Sequence, residues 1–273
     1  MSTAEQVIAD IDAAYDAEPE SDARGYIGAS GVGNKCDAAL AFSLRGFPDT
    51  KNPARLKRIF RDGHRIENEV IRDLRKAGYF VLDRDPLTGR QWRYELAGGH
   101  IVCHTDGQIA LDKKDPDSLD LLEIKSMNDA LFNKFKKDGV RVSHPKYWDQ
   151  MQMMMGMSGH KRCLFIAYNK DKSFYWAEIV DADPFEWGYI RTRLETVWRG
   201  DAAKISDDPT GWLCTGCFKH DVCWGSVIPN ADCKTCENSF PTSDGKWWCR
   251  LKKVEAKESC GDWAPYKAKE KTK

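Results

Sequence analysis

Three residues that could perform metal chemistry lie on two neighbouring strand-like segments: Asp106, Glu123 and Lys125. Glu123 and Lys125 are two positions apart in an extended segment, so their side chains should share one face of a strand. Neighbouring strands could bring Asp106 beside Glu123. Two converging carboxylates would form a hard-oxygen site suited to Mg2+ or Mn2+. Beside such a metal, Lys125 could orient an attacking water or neutralise charge in the transition state.

The spacing of Glu123 and Lys125 has a simpler explanation as well. Both alternate with the apolar residues Leu122 and Ile124, which is also the pattern of an ordinary exposed strand face. Two flanking segments favour the chemical interpretation, because each is a predicted helix that carries polar residues. These residues are Gly63, His64 and Glu67 before the strands, and Tyr147, Gln150 and Gln152 after them.

The order and spacing of these four motifs resemble the RecB-type and phage lambda-exonuclease-type branches of the PD-(D/E)xK nucleases. Those branches carry a helical glycine followed four residues later by Glu or His, then a strand Asp, then (D/E)xK, then a helix with Gln. The resemblance covers about residues 28–200 and implies a metal-dependent DNA nuclease. The implied catalytic residues are Glu67, Asp106, Glu123, Lys125 and Gln150.

The resemblance also implies what each of these residues does. Lys125 would serve the nucleophilic water, and Gln150 would contact a phosphate or the nucleophile. The residues that would ligate or position Mg2+ are Glu67, Asp106, Glu123 and, through its backbone carbonyl, Ile124.

The sequence departs from the family pattern at two places. RecB-type members often have His where Glu67 stands, and here a histidine lies three residues earlier, which makes His64 a second candidate. A Tyr often follows the motif Gln by four residues, but that place is Met154. Tyr147, one turn earlier, could substitute. Gln152 could take the place of the motif Gln, or could be the polar edge of an apolar helix.

Seven of the ten cysteines fall between residues 214 and 260, in CxxC-type spacings. In a reducing compartment, such spacing indicates metal binding more often than disulfides. The second group has four thiols and the flanking pair Trp247-Trp248, and it predicts a structural tetrahedral zinc site. Its members are Cys233, Cys236, Cys249 and Cys260.

The first group has three thiols, Cys214, Cys217 and Cys223, and therefore needs a fourth ligand. His220 would complete a local zinc site, whereas Cys36 would complete a set of four thiolates. The second layout resembles RecB-type nucleases with an iron–sulfur cluster, including the CRISPR-adaptation nucleases, and implies a 4Fe–4S cluster that joins the two ends of the chain. Lambda-type exonucleases carry a Cys-containing N-terminal motif without a cluster, so an inert, buried Cys36 stays open as well.

The elements that must position these residues form a mixed α/β pattern. We expect a restriction-endonuclease-like core with a central sheet flanked by helices, followed by a Cys-rich metal-binding region. Residues 32–44 are predicted as one helix, 100–111 as one strand, and 128–146 as a mobile basic loop with some helix. Further helices are predicted over 3–17, 54–77, 145–159 and 184–198, and further strands over 79–83, 91–97, 120–127, 162–169 and 173–180.

The chain divides by composition into four predicted segments. They are an acidic arm (1–27), a nuclease core (28–200), a Cys cluster closing onto the core (201–225) and a zinc-binding basic tail (226–273). The net charge is +0, but residues 1–22 hold seven acids and no Lys or Arg, whereas residues 51–76 hold nine Lys and Arg against four acids. The basic segments could contact phosphates, or they could simply coat solvent-facing helices.

The sequence also indicates where the protein works. No window approaches the roughly 18 apolar residues that would span a bilayer. The acidic N-terminus lacks the features of a signal peptide. We therefore expect no membrane association and a cytoplasmic location, in the host cytoplasm if the chain is phage-encoded.

The expected function is an Mg2+-dependent exonuclease that acts on DNA ends in phage-type recombination, repair or DNA processing. A P-loop is absent, so the nuclease would work alone or be recruited by a partner such as a single-strand annealing or recombination protein. Lambda-type relatives form rings around DNA, which leaves an oligomer open. The alternative is a non-catalytic zinc or iron–sulfur protein that binds or scaffolds DNA.

Overall fold

The computed structural model describes residues 2–20 and 22–271. Residues 1, 21, 272 and 273, which belong to the predicted arm and tail, lie outside the described residues. The helices are α1 (Thr3–Ala17), α2 (Ala29–Val32), α3 (Asp37–Leu44), α4 (Ala54–Lys76), α5 (Asp129–Ser143), α6 (Pro145–Ser158), α7 (Pro184–Trp198) and α8 (His220–Cys223). The strands are β1 (Ile27–Gly28), β2 (Phe80–Leu82), β3 (Arg93–Leu96), β4 (Ile101–His104), β5 (Gly107–Ala110), β6 (Leu119–Met127), β7 (Arg162–Asn169), β8 (Tyr175–Asp181), β9 (Ser239–Pro241), β10 (Trp247–Cys249) and β11 (Val254–Glu255).

A five-stranded sheet of order β2-β5-β6-β7-β8 forms the centre of the molecule. Strands β6 and β7 are parallel, and the other neighbours are antiparallel. Helix α4 packs on one face, and helices α5 and α6 pack on the other, with α7 behind α6. The predicted mixed α/β fold with helices flanking the sheet is therefore confirmed.

The alternation of side chains along β6 divides the apolar interior into two layers. Leu122 and Ile124 face α4 and pack in a cluster with its buried residues Ile66 and Val70. Leu121 faces the opposite layer, which contains most of the methionines of α6. Because helices cover both faces of the sheet, the alternation does not mark an exposed strand face as its simpler explanation supposed.

Two smaller sheets flank the central one. The first has the order β1-β4-β3, and its strand β1 runs parallel to β4, with Ile27 opposite Ile101. The second is antiparallel, has the order β11-β10-β9, and belongs to the Cys-rich C-terminal region. No helix within residues 2–20 and 22–271 is both long enough and apolar enough to cross a membrane.

Residues 100–111 do not form the single strand that the sequence predicts. The chain leaves the small sheet after β4 and enters the central sheet at β5, so Thr105 and Asp106 lie at the crossing. The apolar pattern continues through both strands because each is buried, and periodicity alone therefore does not show the break. The break places Asp106 at the end of a central strand.

Two helix predictions are also corrected. The predicted helix over 32–44 begins only at Asp37, and Cys36 occupies the position before its first turn. The predicted loop over 128–146 is mostly the helix α5, whose N-terminus is capped by the Asn128 side chain. Phe132 and Phe135 anchor it in the core, and this spacing of three residues is the signal that the basic composition concealed.

Candidate active site

Asp106 and Glu123 lie side by side at one end of the central sheet. The antiparallel register that pairs Gly107 with Leu122 places Asp106, one residue earlier, next to Glu123. The backbone N–H of Ile124 donates to Asp106 Oδ2 at 2.7 Å, which fixes the orientation of this carboxylate. The carbonyl of Ile124 stays a predicted ligand.

Glu123 is 1% exposed, and its two carboxylate oxygens have different surroundings. Oε1 accepts hydrogen bonds from Lys125 Nζ and from Gln150 Nε2, the latter at 2.7 Å. Oε2 is buried and has no hydrogen-bond partner. A buried carboxylate oxygen without a donor is unfavourable, so this atom is available to a cation.

Helix α4 brings Glu67 and His64 to the same place. His64 Nδ1 lies 3.8 Å from Glu67 Oε2, and the His64 side chain is largely exposed. Both residues line a cleft of about 630 Å³ that also contains Asp106 and Gln150. The cleft therefore collects residues from α4, α6 and the edge of the central sheet.

The carboxylates of the cleft are poorly stabilised as anions. Burial, followed by the negative charge of Asp106, raises the pKa of Glu67 to about 7 and that of Glu123 to about 8. Burial also raises the pKa of Asp106. Burial opposes the charge on Lys125, but Glu123 and Asp106 outweigh it and raise the pKa of the ammonium. The site holds an excess of negative charge that Lys125 offsets only in part.

This donor set fits a hard divalent cation in its chemistry. Carboxylate oxygens are the ligands that Mg2+ and Mn2+ prefer, and a cation would relieve both the repulsion and the unpaired Glu123 oxygen. Within residues 2–20 and 22–271, however, no three His, Cys, Asp or Glu side chains are grouped closely enough to hold an ion. Binding would require side chains such as Glu67 to turn toward a shared ion, and the metal therefore remains a prediction.

Of the two alternative candidates on α6, Tyr147 and Gln152, only the first lies near Lys125. The ring of Tyr147 lies 5.5 Å from Lys125 Nζ and stacks on His144, so Tyr147 does reach the site. Gln152 does not. Its amide donates to the carbonyl of Asp181 and accepts from the N–H of Asp183, at 3.0 and 2.7 Å. The prediction that Gln152 could replace Gln150 is thus corrected, since Gln152 ties α6 to the segment between β8 and α7.

The cleft contains residues to which the motif analysis gave no role. Arg24 and Arg84 line it and add positive charge, and His104 has a buried Nδ1 without a hydrogen-bond partner. Burial lowers the pKa of His104, and Arg93 and Arg24 lower it further. His104 stands two residues before Asp106, so strand alternation could have indicated it. Arg24 had no such signal, because its position depends on the pairing of β1 with β4.

The first group of cysteines comes together in space. Cys36, Cys214, Cys217 and Cys223 line one small cavity between α3 and α8. Burial raises the pKa of Cys217, and the neighbouring thiols Cys36 and Cys214 add to the effect. His220 lies at the same cavity, but its Nε2 is 3.0 Å from the Pro209 carbonyl. Its other ring nitrogen is 3.3 Å from an Asp221 oxygen, which favours Cys36 over His220 as the fourth member.

The second group of cysteines surrounds the small sheet β9–β11. Burial raises the pKa of Cys233, followed by the charges of Asp232 and of the other three thiols. All ten cysteines are free, Cys103 and Cys163 being buried in strands as expected. In the part of the chain that the structure describes, neither cysteine group brings three thiols close enough to hold an ion, so the iron–sulfur and zinc sites stay predictions.

Comparisons with known proteins find only remote likenesses. Neither a protein-family model nor a curated protein matches the sequence. Among solved structures, an alkaline exonuclease (LHK-Exo) from Laribacter hongkongensis is 20% identical with a TM-score of 0.48, over 69% of this chain and 90% of that chain. The structure of LHK-Exo in complex with dAMP is 22% identical with a TM-score of 0.48, over 64% of this chain and 86% of that chain. A phage-related exonuclease from Haemophilus somnus 129PT is 15% identical with a TM-score of 0.42, over 67% of this chain and 87% of that chain. The function of this chain therefore has to be inferred from its site.

Proposed function

We propose that this chain is a metal-dependent deoxyribonuclease of the PD-(D/E)xK type. The observation that carries the proposal is that Glu67 and Asp106 line one cleft, with Glu123 and its partner Lys125 directly beside Asp106. One buried oxygen of Glu123 lacks a partner. A purely structural role does not explain three carboxylates with raised pKa values at the end of a well-packed sheet, because their burial costs stability.

Each residue of the cleft has a distinct task in this proposal. When bound, Mg2+ or Mn2+ polarises the phosphodiester and activates the attacking water, and Glu67, Asp106, Glu123 and the Ile124 carbonyl would hold it. Lys125 stays protonated, so it can orient water and stabilise the negative charge that develops on the phosphate. Gln150 fixes the orientation of Glu123 through its hydrogen bond and faces the cleft, where it can contact a phosphate.

We infer that DNA ends are the substrate and that the enzyme serves phage-type recombination, repair or DNA processing in the cytoplasm. The lambda-type resemblance of the motifs supports this inference. Arg24 and Arg84 also give the cleft positive charge that can attract phosphates. A single-strand annealing or recombination protein would be the partner that delivers such ends.

We further propose a 4Fe–4S cluster on the first cysteine group and zinc on the second. The proposal is supported by the shared cavity of Cys36 with the thiols of α8 and its preceding loop, and by the four interacting thiols around β10. Metal analysis of protein purified without oxygen would distinguish the ions. Cys36→Ser should remove iron and leave zinc, whereas Cys249→Ser should do the reverse. Iron that stays bound to the Cys36→Ser variant would contradict the assignment.

The decisive experiment compares linear with covalently closed circular DNA, in Mg2+ and in EDTA. Loss of linear DNA only in Mg2+ would establish an end-dependent nuclease, and nicking of the circle would instead indicate an endonuclease. Glu67→Gln should abolish cleavage, while Glu69→Gln, on the same helix but paired with Arg72 at the surface, should not. If protein with filled metal sites cleaves neither DNA, the proposal fails in favour of a binding or scaffolding protein.

A further inference from the structure

The acidic helix α1 lies on the basic first half of α4 and contacts it through charges. Asp12 forms an ion pair with Arg58 at 2.6 Å, and Glu20, just after the helix, pairs with Lys57 at 2.9 Å. Asp16 accepts the N–H of Ala54 at 2.9 Å, at the start of α4. Each acid thus accepts hydrogen bonds from donors of α4 that could equally bind the oxygens of a phosphate group.

An aromatic contact completes the attachment. The Tyr15 ring lies 5.3 Å from the Arg58 guanidinium and 5.9 Å from that of Arg61. Arg61 also donates to the Tyr15 hydroxyl. The cations covered in this way are Lys57, Arg58 and Arg61, and they are called the α4 basic face below.

Apolar burial contributes little to holding α1 in place. None of the residues Thr3–Ala17 is buried, and Val7, Ile8 and Ile11 are 52%, 61% and 44% exposed. The acids of the two ion pairs, Asp12 and Glu20, are 47% and 37% exposed, and ion pairs that reach solvent in this way are each worth about 0–1 kcal/mol and are screened by salt. A helix attached in this way can be displaced by a competing polyanion without disturbing the core.

The α4 basic face leads directly to the cleft. Arg58 and His64 belong to the same helix, and the axial rise between them is roughly 9 Å. His64 and Asn68 line the cleft. A DNA backbone that leaves the cleft along α4 therefore meets the positions that the acids of α1 now occupy.

We propose that the α4 basic face is a docking surface for the DNA phosphate backbone and that α1 is its displaceable acidic cover. The inference rests on the proposed function, since it concerns how the same cleft receives DNA. Exchange of carboxylates for phosphates requires no covalent step, and the released α1 remains tethered through the segment that follows it.

The test compares two triple variants of equal charge. Asp12→Asn, Asp16→Asn and Glu20→Gln together remove the carboxylate contacts with α4. Lys57 still reaches the backbone carbonyls of Tyr15 and Glu18, and the Tyr15 ring still contacts the two arginines. The control combines Asp10→Asn, Glu18→Gln and Asp22→Asn, whose side chains form no hydrogen bond or ion pair with α4 among the described residues. Binding of labelled duplex DNA is measured in EDTA, where cleavage does not interfere, over a series of salt concentrations.

We expect the contact variant to bind about tenfold tighter than the control at low salt, with a log–log salt slope steeper by about 2, because Arg58 and Arg61 then reach phosphates. Tyr15→Ala, which changes no charge, should also tighten binding relative to wild type. Adding Arg58→Gln and Arg61→Gln to the contact variant should return its affinity to that of the control.

Two outcomes distinguish a failure of the acidic cover from a failure of the proposed nuclease function. Equal binding by the contact variant and the control, in protein that binds and cleaves DNA, would overturn the acidic cover and leave the nuclease intact. If wild type and every variant fail to bind DNA at any salt concentration, the proposed function itself is overturned, and the docking surface with it.

Discussion

The cleft and the Cys-rich C-terminal region are built on opposite principles. The cleft lies at the end of a sheet whose middle strand, β6, has nine residues and is covered on both faces. It contains buried charges that this sheet must tolerate. The small sheet of the C-terminal region has strands of only two or three residues. The core thus supplies stability to the cleft, whereas the C-terminal region depends on attachments for its own order.

One such attachment is the buried residue Arg45. Its guanidinium donates to the carbonyls of Lys234, Cys236 and Ser239 at 2.9–3.0 Å, and lies 4.0 Å from the ring centroid of Tyr266. Burial lowers the pKa of Arg45 to about 10, which still leaves it charged at neutral pH. The contrast is between a buried charge that costs stability and is proposed to serve chemistry, Glu123, and a buried charge that joins two regions of the fold, Arg45.

The largest effect should follow from Glu123→Gln. The amide keeps the shape but loses the anion that the proposed metal needs, so cleavage should fall by about 1,000-fold or more. Stability should not fall, because a neutral group replaces a carboxylate that burial disfavours. Cleavage rates in Mg2+ and urea unfolding of the same preparations check both parts. If Glu123→Gln retains cleavage, the proposed role of the cleft in catalysis is wrong.

The pH dependence of the metal-free protein sharpens this prediction. The pKa of Glu123 is about 8 in the folded state, against an ordinary value of 4.5, so the folded state binds more protons between these values. Glu67, with a pKa of about 7, contributes in the same direction up to about pH 7. The unfolding free energy of wild type in EDTA should therefore fall as pH rises from about 4.5 to 8, with Glu123 alone contributing about 1.4 kcal/mol per pH unit. Glu123→Gln should flatten this slope, and an unchanged slope would contradict the raised pKa.

The cleft was more predictable from the sequence than the surroundings that hold it. Asp106, Glu123 and Lys125 were found because strand alternation fixes which side chains share a face, and this rule is local. Arg24 and the turning away of Gln152 were not found, because both depend on pairing between distant segments. The same holds for Arg45, which looks like an ordinary residue after α3 until the C-terminal region packs around it.

Arg45→Met should give the next largest effect, and on stability instead of chemistry. Three carbonyls, two of them in buried hydrogen bonds, lose a charged donor, which should cost about 3 kcal/mol of unfolding free energy. Urea unfolding measures the loss, and limited proteolysis should show earlier cutting after residue 226. Cleavage at temperatures where the variant is folded should stay within a factor of about three, because Arg45 does not line the cleft.

A matched arginine provides the control for this variant. Arg250 belongs to the same C-terminal region, but it is exposed and stacks only on Phe240, at 4.8 Å. Arg250→Met should cost no more than about 0.5–1 kcal/mol. Equal losses from both substitutions would show that general packing, not the Arg45 attachment, orders the C-terminal region.

Smaller effects are expected from two glutamines on α6, one on the cleavage rate and the other on stability. Gln150→Met removes the hydrogen bond to Glu123 and should lower the cleavage rate by about 10- to 100-fold with little loss of stability. Gln152→Met leaves the Asp181 carbonyl and the Asp183 N–H without a partner, and should cost about 1–3 kcal/mol with little change in rate. Cleavage rates and urea unfolding are measured for both variants. Equal losses of rate and of unfolding free energy in the two variants would contradict the different roles of Gln150 and Gln152.

The smallest effect concerns Gly63, which lies in the third turn of α4, one residue before the cleft residue His64. A methyl group at this position would meet nothing within 4 Å, and the same holds for Gly188 in the middle of α7. Both Gly63→Ala and Gly188→Ala should therefore stabilise the protein by about 0.5–1 kcal/mol through helix propensity alone. If cleavage falls only in Gly63→Ala, the space above Gly63 is needed by the DNA, because the two sites are otherwise equivalent. That result would extend the functional cleft onto the outer surface of α4, toward the basic face that α1 covers.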